Sequence, residues 1–173
     1  MSFVRWALVV VPLVVLLGFL SGRSVPVGSE NRWYQVLAKP GFTPPDWAFP
    51  VVWGLLYILL GLALALVLSA RGARWRWLAV ALFAAQLLLN LAWTPVFFGM
   101  HQVQIALLMI VGIELLSIAA AVVFAYVRPA ATLLMLPYLA WIALAGALTW
   151  EIGRLNPDAA TLVPPVASSH VIG

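Results

Sequence analysis

The sequence predicts an all-α membrane protein, a bundle of five transmembrane helices. Two observations carry this. The 173 residues are 65% hydrophobic and only 8% charged, against roughly 25% charged in a soluble domain, so the chain has too few polar groups to cover a surface in water. The apolar residues also fall into five runs, and a spanning helix needs about 20 such residues in succession. With lipid as solvent, the expected spans cover residues 4–22, 47–70, 76–99, 103–127 and 131–153, within a single domain over residues 1–155.

The first run is Trp6 to Leu20, preceded by Arg5. A basic start and about fifteen apolar residues also describe a signal peptide. The following Ser21-Gly22-Arg23-Ser24 offers no clean small-x-small cleavage site, so a retained span is expected. Residues 23–46 are the longest polar segment, with Glu30, Arg32, Lys39 and Asp46. Pro40, Pro44 and Pro45 exclude a regular helix through its second half. Trp33, Tyr34, Phe42 and Trp47 are interleaved there. Two readings fit those rings: an interfacial aromatic belt, or a lid over a pocket mouth.

The second run is charge-free from Trp47 to Ala70 and ends at Arg71, Arg74 and Arg76. The third is charge-free from Trp77 to Met100, and His101-Gln102 makes a tight turn. The fourth, Val103 to Val127, contains one acid, Glu114, and is broken by Arg128-Pro129. The fifth extends from about Ala131 to Trp150. The remainder, residues 156–173, is rich in Pro, Ser and Ala and is expected to be a disordered tail.

Five spans place the termini on opposite sides. Arg5, Arg71, Arg74, Arg76 and Arg128 then share the N-terminal side, and Arg23, Arg32, Lys39 and Arg154 the other. The bias within short loops favours the N-terminus inside. The net charge of +4 is explained by these flanking residues, so nucleic-acid binding is not expected. The absence of cysteine removes disulfides, thiolate catalysis and cysteine metal sites. Arginine outnumbers lysine eight to one, which reads as a GC-rich coding sequence and a bacterial membrane.

Residues at i, i+3, i+4 and i+7 share a helix face. Gln86, Asn90, Trp93 and Phe97 form one such stripe. An amide facing lipid is costly, so the stripe should face protein or a cavity. The bland reading is interhelical hydrogen bonding; the sharper one is a pocket wall with an amide as polar anchor. Trp53 and Tyr57 pair on the second span, and Pro137, Trp141, Ala145 and Leu148 on the fifth. Three spans thus each present a tryptophan at comparable depth. Ala81 with Ala85, and Gly61 with Ala65, are small-xxx-small pairs of the kind found at helix contacts. Glu114, an acid deep in a span, is a candidate proton carrier or interhelical contact. No His, Asp or Glu set has metal spacing, and no phosphate loop or nucleophile elbow occurs. His101 and His170 lie in a turn and in the tail.

Taken together, Trp33-Tyr34, Leu37, Lys39-Pro40, Phe42, Pro44-Pro45, Trp47, Trp53 and Leu56-Tyr57 resemble the first loop and second helix of the TspO/MBR family. That family comprises the tryptophan-rich sensory proteins and the mitochondrial translocator protein, also called the peripheral benzodiazepine receptor. Gln86, Leu89-Asn90, Trp93-Thr94-Pro95, Phe97-Phe98-Gly99, Pro137-Tyr138-Leu139 and Trp141 extend the likeness over residues 5–156. The resemblance implies five helices, often dimeric, with a pocket opening towards the first loop. It implies porphyrins such as protoporphyrin IX as ligands, together with sterols and isoquinoline-type compounds, and no required cofactor.

On matching positions, Trp53 and Asn90 would supply polar contacts, and Tyr57, Trp93, Trp141, Ala145 and Leu148 would wall the cavity. Trp33 would lie in the lid, with Tyr34, Pro44, Phe97 and Tyr138 completing the expected ligand-binding set. The implied function is a membrane receptor or sensor for porphyrins, with two alternatives open. One is a light-dependent porphyrin-degrading enzyme, with Trp53 and Trp141 as its candidate catalytic residues; the other is a small-molecule transporter. Leu148-Thr149 stands where the family commonly has Leu-Asn, and Trp150 before Arg154 stands where the sterol-recognition pattern needs a Tyr, which puts sterol binding there in doubt. Val122, Tyr126 and Arg128 match a loose sterol pattern elsewhere.

Overall fold

The computed structural model describes residues 2–162, and within them five helices are long and apolar enough to cross a membrane. They are α1 (Phe3–Gly22), α3 (Ala48–Ser69), α4 (Arg76–Thr94), α5 (Val103–Val127) and α6 (Pro129–Leu155), with a short α2 (Arg32–Val36) in the first loop. At 1.5 Å per residue, α5 alone is about 37 Å long, enough for a hydrocarbon layer of about 30 Å. The protein is an integral, multi-pass membrane protein. α1 packs on α3, α3 on α6, α6 on α5 and α5 on α4; lighter contacts of α4 with α3 and α1 close the ring. Residues 3–22 are therefore a wall of the bundle.

Glycines set how closely α1 and α3 approach. A Cβ on Gly61 would lie 2.8 Å from the Val11 Cα, and one on Gly18 would lie 2.1 Å from the Tyr57 ring. Small residues let backbones meet where burial of apolar surface gives no drive, since lipid is as apolar as leucine.

Proline shapes the end of α4 on which the first loop packs, termed the lid end after that loop. Pro95 cannot donate to the carbonyl of Leu91 four residues earlier. Ser21 Oγ of α1 donates to that carbonyl at 2.7 Å, so the proline's missing bond becomes a tie between helices. The chain continues as one π-helical turn, Pro95–Gly99, closed by Met100 N–H to Pro95 O at 2.9 Å. His101 then ends the span in the left-handed region, at φ 57°.

Residues 156–162, expected above to begin a disordered tail, are ordered. Asn156 caps α6, and a 3-10 turn, Ala159–Thr161, buries Ala159 against the first loop. Composition hid this because the ordering contacts come from residues more than a hundred positions away. Residues 163–173, including His170, lie outside the described residues.

Two substitutions on α3 test the close approach. Alanine is favoured over glycine in a helix by about 1 kcal/mol. Gly54→Ala meets nothing within 4 Å and should hold or raise the melting temperature in detergent. Gly61→Ala must push the α1 backbone and should lower it despite the propensity gain, by the equivalent of about 1–3 kcal/mol.

Candidate functional site

α3 opens with Pro50 in its first turn, where the missing N–H costs no helical bond. Trp53 and Tyr57 follow at successive turns and point along one face. Their rings stack, with centroids 5.3 Å apart and planes 29° apart. Trp53 also meets Tyr138 of α6 edge-on at 6.3 Å, and Phe49 meets Trp141 at 5.8 Å. The seam between α3 and α6 is thus aromatic from both sides.

The polar partners come from α4. Tyr57 Oη donates to Asn90 Oδ1 at 3.0 Å, and Tyr138 Oη donates to Gln86 Oε1 at 2.7 Å. Both amides therefore act as interhelical acceptors, the satisfaction that hydrocarbon demands of a buried polar group. Gln86 is fully enclosed, and its Nε2 has no hydrogen-bond partner among the described residues.

A second aromatic cluster sits at the lid end. Trp93 stacks on Phe97 at 4.9 Å, and Phe97 meets Trp33 and Tyr34 edge-on at 5.4 and 6.3 Å. Trp33 is 2% exposed. Its Nε1–H donates to Ala159 O at 2.7 Å, and its ring stacks on His101 at 4.4 Å. Trp93 Nε1–H donates to Ala106 O of α5 at 3.1 Å.

The first loop is held down by two asparagines. Asn31 caps α2 by accepting from Tyr34 N–H, while its Nδ2 donates to Pro26 O at 2.8 Å and Phe98 O at 3.0 Å. Asn156 grips the backbone of Ala38 as a neighbouring strand would: Oδ1 accepts from Ala38 N–H and Nδ2 donates to Ala38 O, both at 2.9 Å. Lys39 Nζ lies 4.5 Å from the centroid of the Tyr34 ring. Burial lowers the Lys39 pKa, partly opposed by Asp46, and burial followed by Asp46 raises that of Tyr34.

The structure brings Trp53, Tyr57, Asn90, Tyr138 and Trp141 into one central group, with Ala145 packed against it; Leu148 is buried but is not part of that group. Trp33, Tyr34, Trp93 and Phe97 form the lid-end group, linked to the first through Trp93. Pro44 is half-buried in the lid. Two grooves of about 330 and 250 Å³ lie on the outer α5–α6 face; Glu114 lines the smaller one, its Oε2 buried without a hydrogen-bond partner among the described residues. Neither groove is lined by the aromatic residues of the two groups. Asn31, Phe49, His101 and Asn156 were not among the expected site residues. Asn31 carried a signal, since asparagine favours the N-cap. The Asn156-Pro157 pair marks a helix end, but nothing local names Ala38 as its partner.

Similarity to known proteins runs through all five spans. The family model described as TspO/MBR family matches residues 9–155. The chain is 40% identical over 149 residues to the tryptophan-rich protein TspO of Chlorobaculum tepidum, covering 84% of this chain and 92% of that protein. It is 38% identical over 138 residues to the protein CrtK of Rhodobacter capsulatus, with 79% and 86% covered. Human translocator protein is 37% identical over 142 residues, with 81% and 84% covered.

Asn156→Ala should loosen the lid while leaving the bundle intact. The substitution leaves the Ala38 N–H and C=O without their partner, a cost of about 1–3 kcal/mol. Hydrogen exchange of residues 31–39 should accelerate roughly 5- to 100-fold with far-ultraviolet helicity unchanged. Unaltered exchange there would show that Asn156 does not hold the loop.

Proposed function

The chain belongs to the TspO/MBR family, and on that premise we propose that it is a membrane receptor for flat hydrophobic ligands of the porphyrin class. Protoporphyrin IX is the ligand to test first. The observation that supports this reading is a division among the interior tryptophans. Trp33 and Trp93 each spend their indole N–H on a backbone carbonyl. Trp53 and Trp141 form no such bond among the described residues, and both are half-buried at the α3–α6 seam. Two unbonded indole N–H groups that stay accessible at a half-buried seam, flanked by stackable rings, are suited to a ligand that is flat, apolar and edged with acceptors.

Entry of such a ligand has a defined cost. The Trp53–Tyr57 and Trp53–Tyr138 contacts must part, each worth about 0.5–1.5 kcal/mol beyond area burial, and porphyrin faces would replace them. Asn90 would keep its place as polar anchor, either through Tyr57 or by exchanging that hydroxyl for the ligand. We place the N-terminus on the cytoplasmic side, in keeping with the arginines of the short 70–75 connection.

The test is titration of the detergent-solubilised protein with protoporphyrin IX in the dark, followed by quenching of tryptophan fluorescence. Saturable quenching is expected, with Trp53→Phe, Trp141→Phe and Asn90→Ala each raising Kd roughly tenfold, about one charge-free hydrogen bond or stacking contact. Quenching that never saturates, or variants that all match the parent, would overturn the assignment for tetrapyrroles.

A further inference from the structure

The end of the bundle opposite the lid carries charge of one sign. Five of the nine basic residues, Arg5, Arg71, Arg74, Arg76 and Arg128, lie there. Of the five acids, Glu114 is inside α5, and Glu30, Asp46, Glu151 and Asp158 all belong to the lid end. At the lid end four bases therefore face four acids, and Arg154 is paired with Glu151 at 3.0 Å. At the opposite end no carboxylate is present among the described residues, and the first turns of α1, α4 and α6, which open there, contain no acid.

The local build of this end is specific. Gly72, at φ 79°, turns the chain between α3 and α4 and sets Arg71, Arg74 and Arg76 around a short connection. Arg74 lies over the Trp75 ring at 4.9 Å and Arg76 over the Trp77 ring at 4.8 Å. Trp75 and Trp77 are 43% and 67% exposed. A guanidinium stacked on an indole uses its face and keeps its in-plane N–H donors free. Those donors match the oxygens of a phosphate, two at a time. Exposed indoles beside them belong at the level where acyl chains give way to headgroups.

From this juxtaposition we infer that the α3–α4 turn, with Arg5 and Arg128 behind it, is a binding surface for the headgroup phosphate of an anionic phospholipid. The four arginines exposed to solvent or headgroups (Arg5, Arg71, Arg74 and Arg128) and the half-buried Arg76 need counter-charge that the protein does not provide. A zwitterionic lipid brings a phosphate together with its own cation. An anionic lipid brings the phosphate alone, so the surface discriminates between them. The two tryptophans hold the acyl–glycerol boundary of the same lipid, which a free phosphate cannot exploit.

Native mass spectrometry of the full chain, released from detergent with equal amounts of phosphatidylglycerol and phosphatidylcholine, reads this directly. The parent should retain phosphatidylglycerol preferentially. Replacing Arg71, Arg74 and Arg76 together by Gln should cut that retention by about fivefold per charge removed. The matched triple Arg23→Gln, Arg32→Gln, Arg154→Gln at the lid end should change it little. The exposed pair Arg71→Gln and Arg74→Gln gives the same reading without touching the half-buried Arg76, should the triple fail to fold. Equal retention of the two lipids, or equal losses in both triples, would overturn the inference. So would displacement of the bound lipid by inorganic phosphate alone, which would mark a free-anion site.

Discussion

Hydrocarbon offers no hydrogen bonds, and the arrangement of this bundle follows from that constraint. A polar side chain within the spans is costly unless it finds an internal partner. Gln86 is met by Tyr138, Asn90 by Tyr57, and the Leu91 carbonyl freed by Pro95 is met by Ser21. These three contacts join α1, α3, α4 and α6. They fix the rotation of each helix about its axis, which apolar contact alone cannot do, because leucine packs as well on lipid as on another helix. Once α3 and α6 are rotated to present Tyr57 and Tyr138 to α4, Trp53 lies against Tyr138 and Trp141 against Phe49. The aromatic seam is a consequence of the polar pairing.

Outside the membrane the same requirement is met by different means. The first loop is rich in proline and forms little regular structure, so its backbone groups need side-chain partners. Asn31 and Asn156 supply them, each using both ends of its amide. Trp33 adds a buried ring and one further bond to the C-terminal segment. The lid is consequently bound to residues 156–162 as much as to the bundle it covers. His101 accepts a left-handed backbone at the end of the third span, and its ring stacks on Trp33.

The legibility of these features in sequence follows the range of the forces behind them. The five spans are set by local apolar runs, and their observed bounds fall within a few residues of those expected. The stripe Gln86, Asn90, Trp93 and Phe97 was legible because helical periodicity is also local. The two uses of that stripe were not separable from spacing. Gln86 and Asn90 bind tyrosines across the bundle, whereas Trp93 and Phe97 belong to the lid end. The order of residues 156–162 was illegible because Asn156 and Ala38 are 118 positions apart, and composition reports only neighbours. Sequence likewise could not say which indole N–H groups are already bonded.

The strength of the lid closure bounds how a ligand entering beneath it would behave. The four bonds that tie the first loop to the rest of the protein, one from Asn31 to Phe98, one from Trp33 to Ala159 and two between Asn156 and Ala38, each contribute about 1 kcal/mol net, and re-exposing the Trp33 ring costs about 2 kcal/mol more. Local opening then requires about 6 kcal/mol, and local openings of this size are ordinary in folded proteins. The open fraction is on the order of one part in 10⁴ to one part in 10⁵. A ligand that enters only through the open form associates more slowly by that factor. Once the loop closes again over an occupied seam, release is slowed by the same opening step. Asn156 and Trp33 hold the first loop from outside the central aromatic group, so the opening of that loop and the packing of Trp53, Trp141 and Asn90 are separate features of the fold.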